Sequence, residues 1–515
     1  MNNTSTETKK SPEKAAKRER KESSRARKII LSAVFGSIWL LAGGLFAIAL
    51  WYKKTFNISF DDLLFTLLSP IGGTGQSTVG DIITACLPTL IVCIAMLVLA
   101  LVFVWKRERL FVILRRVCAG VVAASLVFSA IFAVFAFKIP AYLKKDHEAS
   151  EIYEKEFIDP ATVKITGDED AKNLICIYLE SMETTYSWKK TDIITQSPIN
   201  FMPNMTALAE ENISFSNNEG LGGFHSIIGT GWTMGALMGT TSGVPFSLAV
   251  FGEGTQNSLG RDGTFLNGLT ALGDILEEKG YRQEFLCGSD ISFAGRDTYF
   301  TVHGGYELFD YYTAIEEGYI AEDYKVWWGY EDEILYKIAK DEITELWESG
   351  EPFNFTMLTV DPHHVGGYVC NLCTDEYDSR VEKVVSCADR QIASFIEWCE
   401  TQPFFEDTTI VIMGDHPRMD THLVGDTKYY DRTMYNCFIN SEATPVNTQN
   451  RVCTSLDMFP TILSAMGFTI EGERLGLGTN LFSSLPTLPE KYGYDWFEEE
   501  MNKPSDYYKE KFITK

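Results

Sequence analysis

Glu180, Asp415 and His416 stand at the ends of short apolar runs in a chain of 515 residues. Two carboxylates and an imidazole together suit a divalent cation of intermediate hardness, Mn2+ or Zn2+, and Mg2+ less well. Singly, each residue is equally at home capping a strand or closing a turn, so it is the grouping that points to metal chemistry. Between them lies a glycine-rich stretch, GLGGFHSIIGTGWTMGALMGTTSG, from Gly220 to Gly243. Small residues let backbone N–H groups approach an anion, and a helix starting near Thr233 would aim its positive end at the same place. A hydroxyl there, beside a cation, can ionise and attack phosphorus or sulfur. Thr233 is the best placed, with Thr230, Thr240 and Thr241 as rivals. No Gly-Lys-Ser/Thr follows, so the stretch is not a P-loop.

Arg296, in SDISFAGRD, and the adjacent His363 and His364 add cationic or donor groups. They could hold phosphate oxygens or protonate a leaving alkoxide. All seven histidines of the chain lie after residue 138.

The elements that must carry these residues read as α/β. LICIYL (Leu174–Leu179) runs into Glu180, FNFTMLTV (Phe353–Val360) into Asp361, His363 and His364, and TIVIM (Thr409–Met413) through Gly414 into Asp415 and His416. Such continuous apolar runs predict buried parallel strands. Helical patterns over Leu266–Lys279, Tyr330–Ser349 and Ser379–Glu400 alternate with them, predicting a mostly parallel sheet covered on both faces. Ligands of such sheets bind beyond the carboxyl ends of the strands, where these polar residues converge.

Residues 1–138 carry 18 Lys/Arg and 8 Asp/Glu, a balance of +10, leaving 27 and 62, or −35, for residues 139–515. So acidic a main part argues against a nucleic-acid partner. Three charge-free apolar runs, 29–52, 82–105 and 117–137, are each long enough to cross about 30 Å of hydrocarbon as helices. Ten Lys/Arg fall in residues 1–28 and more in the 106–116 loop, against two in residues 53–81. The positive-inside rule then puts the N-terminus in the cytoplasm and everything after residue 138 outside. The expected domains are a loose basic tail (1–28), a membrane domain (29–137), a polar connector (138–170), a catalytic domain (171–485) and an acidic C-terminal tail or helix (486–515). Phe60–Leu68, in the outer loop, is amphipathic and suits the membrane interface.

Eight of the eleven cysteines lie in the outer part. Cys370-x-x-Cys373 has no second such pair to make a zinc ribbon, and in an outer compartment it invites a disulfide, locally or to Cys387 or Cys399.

With these residues assembled, the chain resembles the lipoteichoic acid synthase and phosphoglycerol transferase family, within the sulfatase-like alkaline phosphatase superfamily. The matching segments are NLICIYLESMETTY (Asn173–Tyr186), GTGWTMGALMGTTSGVP (Gly229–Pro245), FAGRD (Phe293–Asp297), TVDPHH (Thr359–His364), MGDHPR (Met413–Arg418) and SLDMFPTIL (Ser455–Leu463). LESMETTY and GTGWT look closer to the phosphoglycerol transferases of periplasmic glucans than to the synthases. The resemblance implies N-terminal membrane helices followed by an extracytoplasmic sulfatase-like domain. It implies one divalent cation, typically manganese, on Glu180, Thr233, Asp415 and His416. Thr233 is then the nucleophile, and Arg296, His363 and His364 are substrate-binding. The implied donor is phosphatidylglycerol. The acceptor is a glycolipid, a glycerophosphate polymer or a glycan. Three spans rather than the synthases' five, and the Cys370/Cys373 insertion, are departures that bear on polymerase activity and leave the reaction type intact. Phosphoethanolamine transfer, phosphodiester hydrolysis and sulfate-ester hydrolysis are alternatives on the same fold. A catalytically silent binding protein would be expected to lack one of the matched positions.

Overall fold

The computed structural model describes residues 12–56, 58, 60–68, 76–106, 111–143, 149–167, 171–187, 199–247, 263–420, 423 and 431–513. They divide into two units, residues 1–54 with 79–140 and residues 55–78 with 141–515.

The first unit is helical. Helices α1 (Pro12–Thr55), α3 (Gln76–Lys106) and α4 (Phe111–Ala136) contain the apolar spans Ile29–Thr55, Ile82–Leu99 and Arg116–Ala136. With mean hydropathies of 2.1, 2.7 and 2.5, they are long and apolar enough to cross a membrane. Each overlaps one of the three expected runs, the second ending at Leu99 rather than at residue 105. Trp39 Nε1 donates to the Cys93 carbonyl (3.0 Å), joining α1 to α3. Residues 12–28, expected as a loose tail, continue α1 instead, because their Lys, Arg, Glu and Ala residues are strong helix formers. Residues 1–11 and 107–110, parts of the expected tail and inner loop, lie outside the described residues.

The second unit is built on a six-stranded sheet. Its strands are β1 (Asn173–Leu179), β2 (Arg282–Cys287), β3 (Glu307–Phe309), β4 (Phe353–Leu358), β5 (Thr408–Gly414) and β6 (Asn436–Ile439), in the order β3-β2-β4-β1-β5-β6. All neighbours are parallel except β5 and β6. Leu174, Cys176 and Tyr178 face one apolar layer while Ile175, Ile177 and Leu179 face the other. Burial on both faces is why β1 reads as an unbroken apolar run. In register, Tyr178 lies beside Leu358 and Leu179 beside Gly414, so the residues that follow β1, β4 and β5 emerge at one edge.

The helices that matter for this edge are α5 (Thr233–Ser242), α6 (Leu272–Glu278), α7 (Arg296–Val302), α8 (Asp332–Glu348) and α9 (Arg380–Glu400). The three helical patterns expected from sequence appear as α6, α8 and α9, with later starts.

Two expected boundaries are crossed by packing. In the connector, Ile165–Gly167 pairs with Phe468–Ile470, and buried Glu156 takes Arg474 (2.9 Å) and Lys491 (2.8 Å). The acidic tail buries Phe497, Tyr508 and Phe512, the last two against Tyr153. A few aromatic anchors therefore fold both segments onto the catalytic domain, despite their polar composition. Residues 144–148 and 168–170 of the connector lie outside the described residues.

Candidate active site

The strand ends bring Glu180, Asp415 and His416 together. Gly414 turns β5 toward the site and cannot be replaced, because a Cβ there would lie 1.8 Å from the Met182 carbonyl oxygen. The Asp415 carboxylate oxygen Oδ1 then accepts the backbone N–H groups of Ser181 and His416, both at 2.7 Å. Ser181 Oγ donates to Glu180 Oε1 (2.6 Å), and the Glu180 N–H is held by Thr359 Oγ1 (3.0 Å) at the end of β4.

Thr233 is the first residue of α5. Its Oγ1 donates toward Glu180 Oε2 at 3.3 Å and lies 3.3 Å from His416 Nε2. The close approach depends on Gly235, where a Cβ would meet the Gly229 carbonyl oxygen at 2.3 Å. The rival hydroxyls are committed elsewhere. Thr230 bonds Ile227 and Ser455, Thr240 bonds Tyr178, and Thr241 bonds Tyr299.

The donor set fits a divalent cation. His416 Nδ1 donates to the Pro417 carbonyl (2.9 Å), which aims Nε2 at Glu180 Oε1 (3.5 Å) and Asp415 Oδ2 (3.4 Å). Asp415 Oδ2 is buried and accepts no hydrogen bond among the described residues. An orphaned buried carboxylate oxygen calls for positive charge. Burial and the neighbouring Glu180 push the Asp415 carboxyl up to about 7. Burial acts on Glu180 in the same direction, but His363 and His416 outweigh it and hold that carboxyl below its usual value.

His363 and His364 stack at 4.2 Å and reach the same place, each offering a ring nitrogen within 4.8 Å of a Glu180 oxygen. His363 Nδ1 donates to the His364 carbonyl (2.7 Å). Burial lowers both imidazole pKa values, that of His364 strongly. Arg296 stands apart from this cluster. Its Nε and Nη2 are spent on Phe293 O, Ser289 Oγ and Asp290 O at 2.7–3.1 Å, and Nη1 has no hydrogen-bond partner among the described residues. Its link to the histidines runs through Phe293 and Trp328, whose ring lies 4.5 Å from that of His363.

Sequence reasoning missed two supports. The first is Arg418, within MGDHPR. It is buried, pairs with both Asp420 oxygens at 2.7 Å, and donates to the Pro362 carbonyl at 2.8 Å beside the histidines. Asp420 also accepts the Gly366 N–H at 3.0 Å. Arg418→Ala, which takes away the guanidinium facing a buried carboxylate, should therefore cost about 3–5 kcal/mol. The check is thermal unfolding of the full chain, where an unchanged midpoint would refute it.

The second support comes from the segment between the first two apolar helices. Helix α2 (Phe60–Leu68) does not present Phe65 to a lipid interface. Phe65 is buried and stacks on Trp232 at 5.9 Å, beside Thr233, while Phe56 meets the His364 ring edge-on at 5.6 Å. No local pattern marked these contacts, since the partners lie more than 160 residues away.

Residues 172–468 match the family model described as Sulfatase. The chain belongs to the sulfatase family. Phosphoglycerol transferase I of Xanthomonas euvesicatoria pv. vesicatoria (strain 85-10) is 31% identical over 319 residues, 61% of this chain and 43% of that protein. Phosphoglycerol transferase I of Escherichia coli O127:H6 (strain E2348/69 / EPEC) is 29% identical over 321 residues, 60% of this chain and 39% of the relative. The chain thus spans less than half the length of these curated relatives. Among solved structures, the lipoteichoic acid synthase LtaP from Listeria monocytogenes is similar over 62% of this chain and 79% of its own, at 18% identity and a TM-score of 0.46. The integral membrane lipooligosaccharide phosphoethanolamine transferase A from Neisseria meningitidis is similar over 85% and 84%, at 13% identity and a TM-score of 0.47.

Proposed function

We propose that this chain is a membrane-anchored phosphoglycerol transferase, with its catalytic domain outside the cytoplasm, moving glycerophosphate from phosphatidylglycerol to a cell-envelope acceptor. The observation that carries the reading is Thr233 Oγ1, at a helix N-terminus and 3.3 Å from both Glu180 and His416, beside the orphaned Asp415 oxygen. The phosphoglycerol transferases among its relatives support the donor, and the positive-inside bias supports the orientation.

Glu180, Asp415, His416 and Thr233 would hold one divalent cation, Mn2+ by preference with Mg2+ or Zn2+ as substitutes. When bound, it lowers the threonine pKa and offsets charge on the phosphate oxygens. Thr233 Oγ loses its proton and forms a bond to phosphorus, while the bond from phosphorus to the diacylglycerol oxygen breaks and that oxygen takes up a proton. A glycerophosphoryl-threonine remains. The backbone N–H groups opening α5 stabilise the phosphoryl oxygens. Arg296 Nη1 supplies a further donor once substrate is present. His363, held neutral by burial and with Nδ1–H committed to His364, presents Nε2 as a base for the acceptor hydroxyl. The acceptor oxygen then attacks phosphorus and releases Thr233. A glycolipid, a glycerophosphate polymer or a glycan would each supply such a hydroxyl.

The test is to incubate the full chain with Mn2+ and phosphatidylglycerol, and separately with phosphatidylethanolamine, and to weigh the Thr233 peptide. A glycerophosphoryl adduct from the first lipid alone is expected. A phosphoethanolamine adduct would overturn the donor and keep the mechanism, while no adduct from either, with metal bound, would overturn both.

A further inference from the structure

Cys370, Cys373 and Cys387 gather three sulfurs away from the Thr233 centre. Cys370 Sγ lies 3.7 Å from Cys373 Sγ and 3.6 Å from Cys387 Sγ, and all three lie within 4.8 Å of one another. The disulfide expected here is absent, and all eleven cysteines are free thiols. Cys370 and Cys373 sit in the loop that follows the histidine pair, whereas Cys387 lies two turns into α9. Tetrahedral zinc with Zn–S bonds of about 2.3 Å sets neighbouring sulfurs about 3.8 Å apart. The two distances from Cys370 are those of edges of such a tetrahedron, and Cys373 and Cys387 lie within 4.8 Å of each other. A second Cys-x-x-Cys pair is not needed, because the helix supplies the third sulfur.

A separate observation points into the same place. Gln391, one turn beyond Cys387, is 8% exposed. Its Nε2 lies 3.5 Å from Cys387 Sγ and 4.0 Å from Cys370 Sγ, while its Oε1 is buried with no partner among the described residues. Half a turn about the last torsion exchanges the two amide atoms without changing the side chain's shape, and brings the oxygen to the sulfurs. Three thiolates and Zn2+ leave one net negative charge. Arg390, which donates to the Leu372 carbonyl at 3.3 Å, sets its guanidinium on the Cys-x-x-Cys loop.

We propose that Cys370, Cys373 and Cys387 hold a structural zinc ion, with the Gln391 amide oxygen at the fourth corner. Each thiol releases its proton on binding. Soft sulfur donors select zinc over the harder cation suited to the carboxylate site. The ion ties the loop carrying His363 and His364 to α9. This assignment is independent of the phosphotransfer reading.

The experiment uses the full chain purified under reducing conditions and loaded with Zn2+ or Co2+. Zinc is expected to protect these three cysteines from alkylation, and Co2+ to give a thiolate-to-metal charge-transfer band. Cys373→Ser should lose most of the band, since Cys373 is the partly exposed member whose replacement disturbs packing least. Glu180→Gln should keep it, because the carboxylate centre offers no sulfur. Equal alkylation of the wild-type cysteines with and without zinc would overturn the proposal. So would a disulfide among the three in a metal-free peptide map, or a band that survives in Cys373→Ser.

Discussion

Replacing Thr233 with alanine is expected to lower transfer from phosphatidylglycerol by at least about a thousandfold and to eliminate the glycerophosphoryl adduct. About three decades in rate correspond to about 4 kcal/mol of barrier. The loss is that large because the other hydroxyls near the turn cannot step in. Thr230, Thr240 and Thr241 are buried, and each is hydrogen-bonded within the fold. Folding should be little changed, since Thr233 is only half buried and its backbone begins a helix that alanine also favours. Thr233→Ser keeps an oxygen at the same place and should retain measurable transfer. The measurements are diacylglycerol release and peptide mass. Wild-type release by Thr233→Ala would show that another atom attacks phosphorus.

How far the site could be read in sequence follows from the range of the interactions involved. Glu180, Asp415 and His416 were legible because a buried parallel strand is a short unbroken apolar run, and the next polar residue is forced to the sheet edge. Thr233 stood out for the glycines around it, and the structure separates it from its rivals by their hydrogen bonds. Arg296 was legible as a cation but not in its commitments, which depend on the carbonyls of its own turn. The walls supplied by Phe56 and Phe65 left no trace, because one aromatic residue on a short amphipathic helix looks the same whether it faces lipid or protein. Cys387 was legible only as one of two candidate disulfide partners, with Cys399, for Cys370 and Cys373. A helix presents it to the loop at a separation that no short motif encodes, so the grouping of all three sulfurs was not legible. The packing of the connector and C-terminal segment is not visible in their composition. Tyr153, Tyr508 and Phe512 hold them in place while most of their residues stay polar.

Metal affinity should weaken as pH falls below 7, by about tenfold per pH unit for one displaced proton. The group responsible is Asp415, whose carboxyl stands at about 7 because of burial and the charge of Glu180. A cation must remove that proton before it binds. The sign for the metal-free protein is the reverse of the common carboxylate case. Unfolded, the Asp415 carboxyl ionises near 3.8, so between 3.8 and 7 the folded chain holds a proton that the unfolded chain has released. Stability contributed by this residue is therefore fully present below 3.8, declines as pH rises through that window, and is gone above 7. A bound divalent cation neutralises the charge and restores what was lost. The increase in unfolding temperature on adding Mn2+ should consequently grow from pH 5.5 to 7.5 and then level off. Asp415→Asn keeps the shape and removes the charge. It should flatten the pH dependence of the metal-free protein and weaken metal binding beyond the ~10–100-fold expected from loss of a supporting partner. Calorimetric titration at two pH values, with unfolding scans on both proteins, makes the comparison. Unchanged affinity in Asp415→Asn would remove Asp415 from the ligand set, and with it the explanation for the buried oxygen that no hydrogen bond satisfies.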